Sequence, residues 1–396
     1  MQQYEDGLRA LRHNYDPANI DRAVDIFQRL LEREPESAAA HAGLARAFWE
    51  MGRNPSAGGD QIFIEQAVAV ARDAVRLDGY LADARVSLGL TSLLAGRNET
   101  ARSELETALD LEPTNADAQF GLARLEQVSG NAEAAERHYR RAIELEPAPV
   151  YLDALGGLLY AAGRYDEAEA TFVASLDLAP DGVYALRNLG VVYFARGQID
   201  EAAVAFQKAL KIRPDASLYS NLGTIFFSRG LYPKAAAAFE DALRVDGASN
   251  NASFWINLAD AYRQIDGKED AMDRSYRQAI RLLDARVDAA PEDIRLRSLR
   301  ALARARNGEV DAARRDLRQI DVAGSDLYSL LRIAMVEELV GDRDAALGHL
   351  DAALRAGLSV SEVRREPDLL SLRADPRFHH LLLALDAPPS SRSSSS

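Results

Sequence analysis

Small and bulky apolar residues return along this chain in a fixed order, with a spacing close to 34 residues. A leucine followed by a small residue comes first, as in Leu88-Gly89, Leu189-Gly190 and Leu222-Gly223. A glycine turn and a polar step then lead to alanine, as in Gly163-Arg-Tyr-Asp-Glu-Ala168 and Gly197-Gln-Ile-Asp-Glu-Ala202. Four positions beyond that alanine stands a bulky residue: Leu105, Tyr139, Phe172, Phe206 or Phe239. A proline closes each phrase, and Pro113, Pro147, Pro180 and Pro214 follow at intervals of 34, 33 and 34 residues. Alanine, leucine, arginine and glutamate dominate, and aromatics make up 7%. The pattern therefore predicts helices broken at the glycine and stopped at the proline, which lacks an N–H and clashes with the preceding turn.

These phrases resemble the tetratricopeptide repeat, with Leu-Gly and an aromatic on a first helix and then Ala, a large apolar residue, Ala and Pro on a second. The small residue after leucine (Gly89, Ala123, Gly156, Gly190, Gly223, Ala259) lets the two helices approach closely, and the second-helix alanines do the same from the other side. Ten marker positions follow: Ala23, Ala67, Ala101, Ala135, Ala168, Ala202, Ala235, Met272, Ala313 and Ala346. A chain of 396 residues would otherwise suggest two or three domains, but a repeat array grows by stacking and needs no single core. The expectation is an all-α, right-handed α-solenoid of about ten helix pairs over residues 1–357, with helical capping segments at 358–385. An insertion is expected near 54–63, an extended helix near 279–290, and a disordered Ser/Pro-rich tail at 386–396.

Charge and composition narrow the function classes. A net charge of −14 argues against a sequence-independent nucleic-acid binder, which needs a positive footprint. There is no cysteine, so disulfides, thiolate metal sites and cysteine nucleophiles are excluded. No apolar run reaches the roughly 18 residues that a membrane span needs, and Met1-Gln-Gln-Tyr-Glu-Asp lacks the regions of a signal peptide. The chain thus reads as cytoplasmic, with an extracytoplasmic setting open if it belongs to a longer anchored protein.

No catalytic constellation stands out, and no cofactor is implied. His13, His41, His138 and His349 are scattered; His379 and His380 are adjacent but point about 100° apart on a helix, which does not suit one ion. Acidic pairs such as Asp166-Glu167 and Asp200-Glu201 open second helices, where negative charge suits the helix dipole. No metal-binding spacing, phosphate loop or nucleophile elbow occurs.

A narrower series is similar to the repeat region at the carboxyl end of modular bacterial signalling proteins that carry a serine/threonine kinase or a winged-helix domain. It comprises Asp16-Pro-Ala-Asn-Ile-Asp-Arg-Ala-Val-Asp-Ile-Phe27, the expanded second repeat, Ala216-Ser-Leu-Tyr-Ser-Asn-Leu-Gly223, Trp255-Ile-Asn-Leu-Ala-Asp-Ala-Tyr262 and Arg365-Glu-Pro-Asp-Leu-Leu-Ser-Leu-Arg-Ala-Asp-Pro-Arg-Phe378. That resemblance implies a non-catalytic scaffold holding a partner protein or peptide, as a monomer or weak homo-oligomer. Alternatives are the repeat arm of a larger enzyme, a serine/threonine kinase or glycosyltransferase whose catalytic domain is absent here, and a self-associating structural module. In the repeat family the first helix lines the groove, and here three consecutive repeats carry Asn188, Asn221 and Asn257 at its sixth position. The arrangement resembles the peptide-holding asparagine ladder of O-linked N-acetylglucosamine transferases. An amide donates and accepts, so such a ladder could grip a peptide backbone; alternatively it bonds neighbouring helices. Tyr184, Arg187, Phe194, Ser220, Thr224, Phe227, Asp260 and Arg263 surround it in register. A clamp for carboxyl-terminal carboxylates is not expected, because Tyr184, Ser217 and Ser253 stand where that clamp has lysine.

Overall fold

The close approach of paired helices at glycine organises the structure. A side chain added to Gly190 would come within 2.6 Å of the Phe206 ring, and one on Gly156 within 2.7 Å of Phe172. Leu105 lies against two such positions, Gly89 in its own pair and Gly121 in the next, so one bulky residue fills the space between neighbouring repeats. Phe172, Leu105 and Tyr139 are fully buried, as are the marker alanines Ala101, Ala135, Ala168, Ala202 and Ala235. Full burial of such side chains contributes about 1.5–3 kcal/mol each.

The computed structural model describes residues 2–12, 17–52, 61–245 and 247–386. It is all-helical, with no strand among the described residues, and forms an α-solenoid of tetratricopeptide-type pairs. Two compact units divide the chain at residue 214. The first unit holds α1 (Gln2–Arg12), α2 (Pro17–Arg33), α3 (Ala38–Gly52), α4 (Gln61–Leu77), α5 (Ala82–Leu94), α6 (Asn98–Leu111), α7 (Ala116–Val128), α8 (Ala132–Leu145), α9 (Pro149–Ala161), α10 (Tyr165–Leu178), α11 (Val183–Ala195) and α12 (Ile199–Ile212). Each odd-numbered helix packs on the even-numbered one that follows, and within the unit each even-numbered helix packs on the next odd one.

The turns inside the pairs use glycine for a physical reason. Gly163 and Gly197 have φ of 73° and 77°, left-handed values that cost little only without a Cβ. The second helices end two residues before proline, at Leu111, Leu145, Leu178 and Ile212.

The second unit holds α13 (Ala216–Ser228), α14 (Tyr232–Arg244), α15 (Ala252–Arg263), α16 (Glu269–Ala289), α17 (Ile294–Arg306), α18 (Val310–Leu317), α19 (Leu327–Val340) and α20 (Arg343–Arg355). After these come α21 (Val360–Arg365), a 3₁₀ segment Pro367–Ala374, and α22 (Pro376–Asp386). Leu369, Leu372, Phe378 and Leu382 of these last elements join the core of α17, α19 and α20, covering its apolar end. α16 is the longest helix among the described residues, at 21 residues. Around α17 and α18 much of the packing is ionic. Arg300 donates to both oxygens of Asp316 at 3.1 and 2.6 Å, and Arg304 donates to Asp316 at 2.9 Å. Of the expected insertion at 54–63, residues 54–60 lie outside the described residues and 61–63 open α4; the expected tail lies outside them beyond Asp386.

Candidate binding groove

The odd-numbered helices of the first unit line a groove of about 830 Å³. It is reached by side chains one helical turn apart, such as Arg46 and Glu50 on α3 or Asp83 and Ser87 on α5, which share a helix face. The connectors that lead from even to odd helices close it on another side, with Pro147, Pro149, Pro180, Leu178 and Ile212.

The polar wall is a network between distant repeats. Arg46 donates through both terminal nitrogens to the two carboxylate oxygens of Asp117, and the Tyr151 hydroxyl donates to the same carboxylate. Ser87 donates to the Ala42 carbonyl at 3.0 Å, which ties α5 to α3. Tyr4 donates to Asp83 at 3.4 Å. Burial raises both tyrosine hydroxyls above their usual range, and the neighbouring Asp83 and Asp117 charges add to this. Burial also raises the Asp83 carboxyl, against the pull of Arg46. Burial works against the charge on Arg46, but Asp117 outweighs it and holds the guanidinium charged.

The residues expected from sequence fall in both units. In the first, Tyr184 lines the groove, and the Arg187 guanidinium lies 5.0 Å from the Tyr184 ring centre. Asn188 on the same helix keeps a buried Nδ2 with no hydrogen-bond partner, and Phe194 is half-buried.

In the second unit Asn257 donates to the Ser220 hydroxyl at 3.2 Å, a bond between adjacent first helices. Thr224 donates back to the Ser220 carbonyl at 3.0 Å, and Phe227 packs edge-on against Tyr232. Asn221 is half-buried. Asp260 and Arg263 belong to a buried ion-pair cluster with the capping segment. Arg306 donates to Asp260 at 2.6 Å and to Asp368 at 2.7 Å, Arg263 donates to Asp368 at 2.9 Å, and Tyr276 donates to Asp260. These two side chains therefore anchor the cap.

Sequence reading did not single out Tyr4, Arg46, Asp83, Asp117 or Tyr151. One signal was present: Asp83 and Asp117 stand 34 residues apart, each six before the small residue of its repeat, Gly89 and Ala123. That register repeats a carboxylate on the face that lines the groove.

Profiles of the tetratricopeptide repeat match residues 5–62, 92–158, 146–215 and 220–273. Together these cover more than half of the chain, which belongs to the tetratricopeptide repeat family. Among solved structures, the chain is similar to the APC/C hetero-tetramer Cut9–Hcn1, with a TM-score of 0.57 and 20% identity over 76% of this chain and 54% of that one. It is also similar to a human IFIT1 dimer with PPP-AAAA, with a TM-score of 0.50 and 16% identity over 86% and 79% of the two chains. A third likeness is to PilF of Pseudomonas aeruginosa, with a TM-score of 0.46 and 22% identity over 59% and 98%. The first two are likenesses of fold alone. No curated protein matches the chain. Tetratricopeptide repeats generally mediate protein–protein interaction, and proteins built from them are generally non-catalytic scaffolds. Among the described residues no helix is long and apolar enough to cross a membrane.

Proposed function

We propose that the chain is a non-catalytic scaffold that holds a segment of a partner protein in the groove of its first unit. One observation carries this reading. Side chains from six successive first helices and the connectors between pairs converge on a single groove of about 830 Å³, within the size range of specific ligand sites. Tyr4 and Tyr184 line it half-buried, giving flat contact area at low entropic cost, and the network of Arg46 and the buried Tyr151 around Asp117 pre-organises one wall. Bacterial signalling is the setting that we propose for this scaffold, supported by the sequence series around Ala216–Gly223 and Trp255–Tyr262.

A random-peptide display library panned on the full chain tests the reading. The expected result is a set of enriched peptides whose affinity falls at least tenfold with Tyr184→Ala or Leu178→Asp and stays unchanged with Val204→Asp, an exposed position on α12. Failure to enrich any peptide, or enriched peptides indifferent to both groove substitutions, overturns it.

A further inference from the structure

In this array a leucine spans the join between one helix pair and the next. Leu88 shares a buried apolar cluster with Val68 and Ala71 of α4, Leu122 with Leu105 of α6, and Leu258 with Phe239 of α14. Each stands directly before the small contact residue of its first helix. In α17 that register, directly before Ala301, holds Arg300, which at 8% exposure is as buried as Leu222 in the same place. Its reach across the join ends on a carboxylate: Arg300 donates to Asp284 of α16 at 2.9 Å, and Arg304 donates to the same oxygen at 2.8 Å. Arg306 of α17 likewise donates to Asp260 of α15 at 2.6 Å, and Arg263 of α15 donates to Asp368 of the capping segment at 2.9 Å. Asp284 belongs to the stretch by which α16, at 21 residues, outruns α6, α8, α10, α12 and α14, which have 13 or 14.

Beyond this ionic join the chain coheres by apolar contact. Ala301, Leu302 and Ala305 of α17 share one buried cluster with α18, α19, α20 and the capping elements, through to Leu382 of α22. Ala303 turns the other way, into the core of α15 and α16, with Leu296 and Leu299 packed at its edge. We infer that the α16–α17 join is a hinge, at which α17–α22 undock from α15 and α16 as one body. The link itself, residues 290–293, is four residues long, enough to absorb such a rotation in its backbone angles.

The energetics favour opening here over the apolar joins. Parting a leucine from Phe239 or Leu105 exposes apolar surface to water with nothing in return. Parting Asp284 and Asp260 from their arginines loses Coulomb attraction but rehydrates both charges, and the two effects largely cancel. Arg304 adds to this, because its Nε is buried without a hydrogen-bond partner in the closed form and gains water on opening. Opening separates Asp260 and Arg263 from Arg306 and Asp368, so the hinge controls access to two first-helix side chains that the closed form covers.

The chain has no cysteine, so single alanine-to-cysteine substitutions in the full chain report opening through their rate of reaction with Ellman's reagent. Three fully buried positions separate the possibilities: Ala303→Cys at the hinge join, Ala261→Cys at the apolar α14–α15 join, and Ala334→Cys inside the α17–α22 body. Ala303→Cys should react at least tenfold faster than the other two. Adding Arg300→Leu/Asp284→Leu, which restores an apolar join while Arg304 keeps Asp316 paired, should slow it at least tenfold. Adding Arg355→Leu/Asp351→Leu, which removes an exposed ion pair on α20, should change it less than twofold. Circular dichroism checks that each variant folds; should Ala303→Cys fail, Ala279→Cys reads the same join from α16. Equal rates at all three positions would mean global unfolding, and a rate at Ala334→Cys matching that of Ala303→Cys would mean that the body melts instead of undocking. Either result, or no slowing with Arg300→Leu/Asp284→Leu, overturns the inference.

Discussion

Arg46 and Asp117 stand 71 residues apart in the chain and close on each other through a two-point ion pair inside the first unit. The pair joins α3 to α7, and Tyr151 of α9 completes it by donating to the same carboxylate. Three of the six helix pairs are thus tied at one point, in addition to the nearest-neighbour packing on which an array ordinarily depends.

Removing one member of this pair leaves the other in a partly desolvated setting. Both side chains keep about a fifth of their surface exposed, at 20% and 22%. Arg46→Met should therefore cost about 2–3 kcal/mol, below the range for a fully buried pair. The double substitution Arg46→Met/Asp117→Asn should recover more than half of that loss. Urea unfolding of the single and double variants checks the cycle. Strict additivity would show that the two groups do not couple.

The glycine contacts make a sharper demand. Gly190→Val places new atoms where the Phe206 ring already sits, 2.6 Å from the position of a Cβ, and should destabilise the chain by about 1–3 kcal/mol. Gly157, one residue after the contact glycine of α9, has nothing within 4 Å of its Cβ position. Gly157→Ala should be neutral or stabilising, since alanine is the better helix former by about 1 kcal/mol. Thermal unfolding of the two variants reads the contrast directly.

The capping segment gives stability a pH dependence. Burial works to raise the Asp368 carboxyl, but Arg306 and Arg263 outweigh it and hold the carboxyl below its usual range. Its folded value therefore lies below its unfolded value. The stabilisation is complete above the unfolded value, near pH 4, and is lost as the pH falls through the folded one. Asp368→Asn should thus lower the melting temperature at pH 7, with the gap to wild type closing towards pH 3. A gap that stays constant with pH would mean that the ionised carboxylate contributes nothing.

His349 has the opposite sign. Its hydrogen bond to Glu337, at 2.7 Å, raises the imidazole above its ordinary value, with burial opposing. Stability from the pair is present below the unfolded value, near 6.5, and declines as the pH rises through the folded value. Titration of the His349 ring by NMR should show a midpoint above 6.5 in wild type that drops with Glu337→Gln.

The repeating part of the fold was legible because one physical constraint recurs. A small residue in a first helix must face a bulky one in a second, so Gly156 with Phe172 and Gly190 with Phe206 appear at a fixed separation in sequence. The ion-pair cluster could not be read that way. Asp368 meets Arg263 across 105 residues and Arg306 across 62, and neither separation is set by the repeat. For the same reason Asp260 and Arg263 read as surface residues in register, when the capping segment in fact covers them. Asn257 shows a related effect, since its partner Ser220 lies one repeat back and on a different register position. The groove wall was half legible: the 34-residue recurrence of Asp83 and Asp117 is in the sequence, but the convergence of Arg46 and Tyr151 on one of them is a product of packing.

Site-directed photo-crosslinking tests the central claim, that a partner segment sits in the first unit's groove. The chain has no cysteine, so Leu178→Cys in the groove and Val204→Cys on α12 can each carry a single benzophenone. The probe is the tightest peptide enriched by display on the full chain. The account predicts crosslinking from position 178 that unlabelled peptide competes away, and none from position 204. Crosslinks from 204 alone, or from both positions without competition, would contradict it.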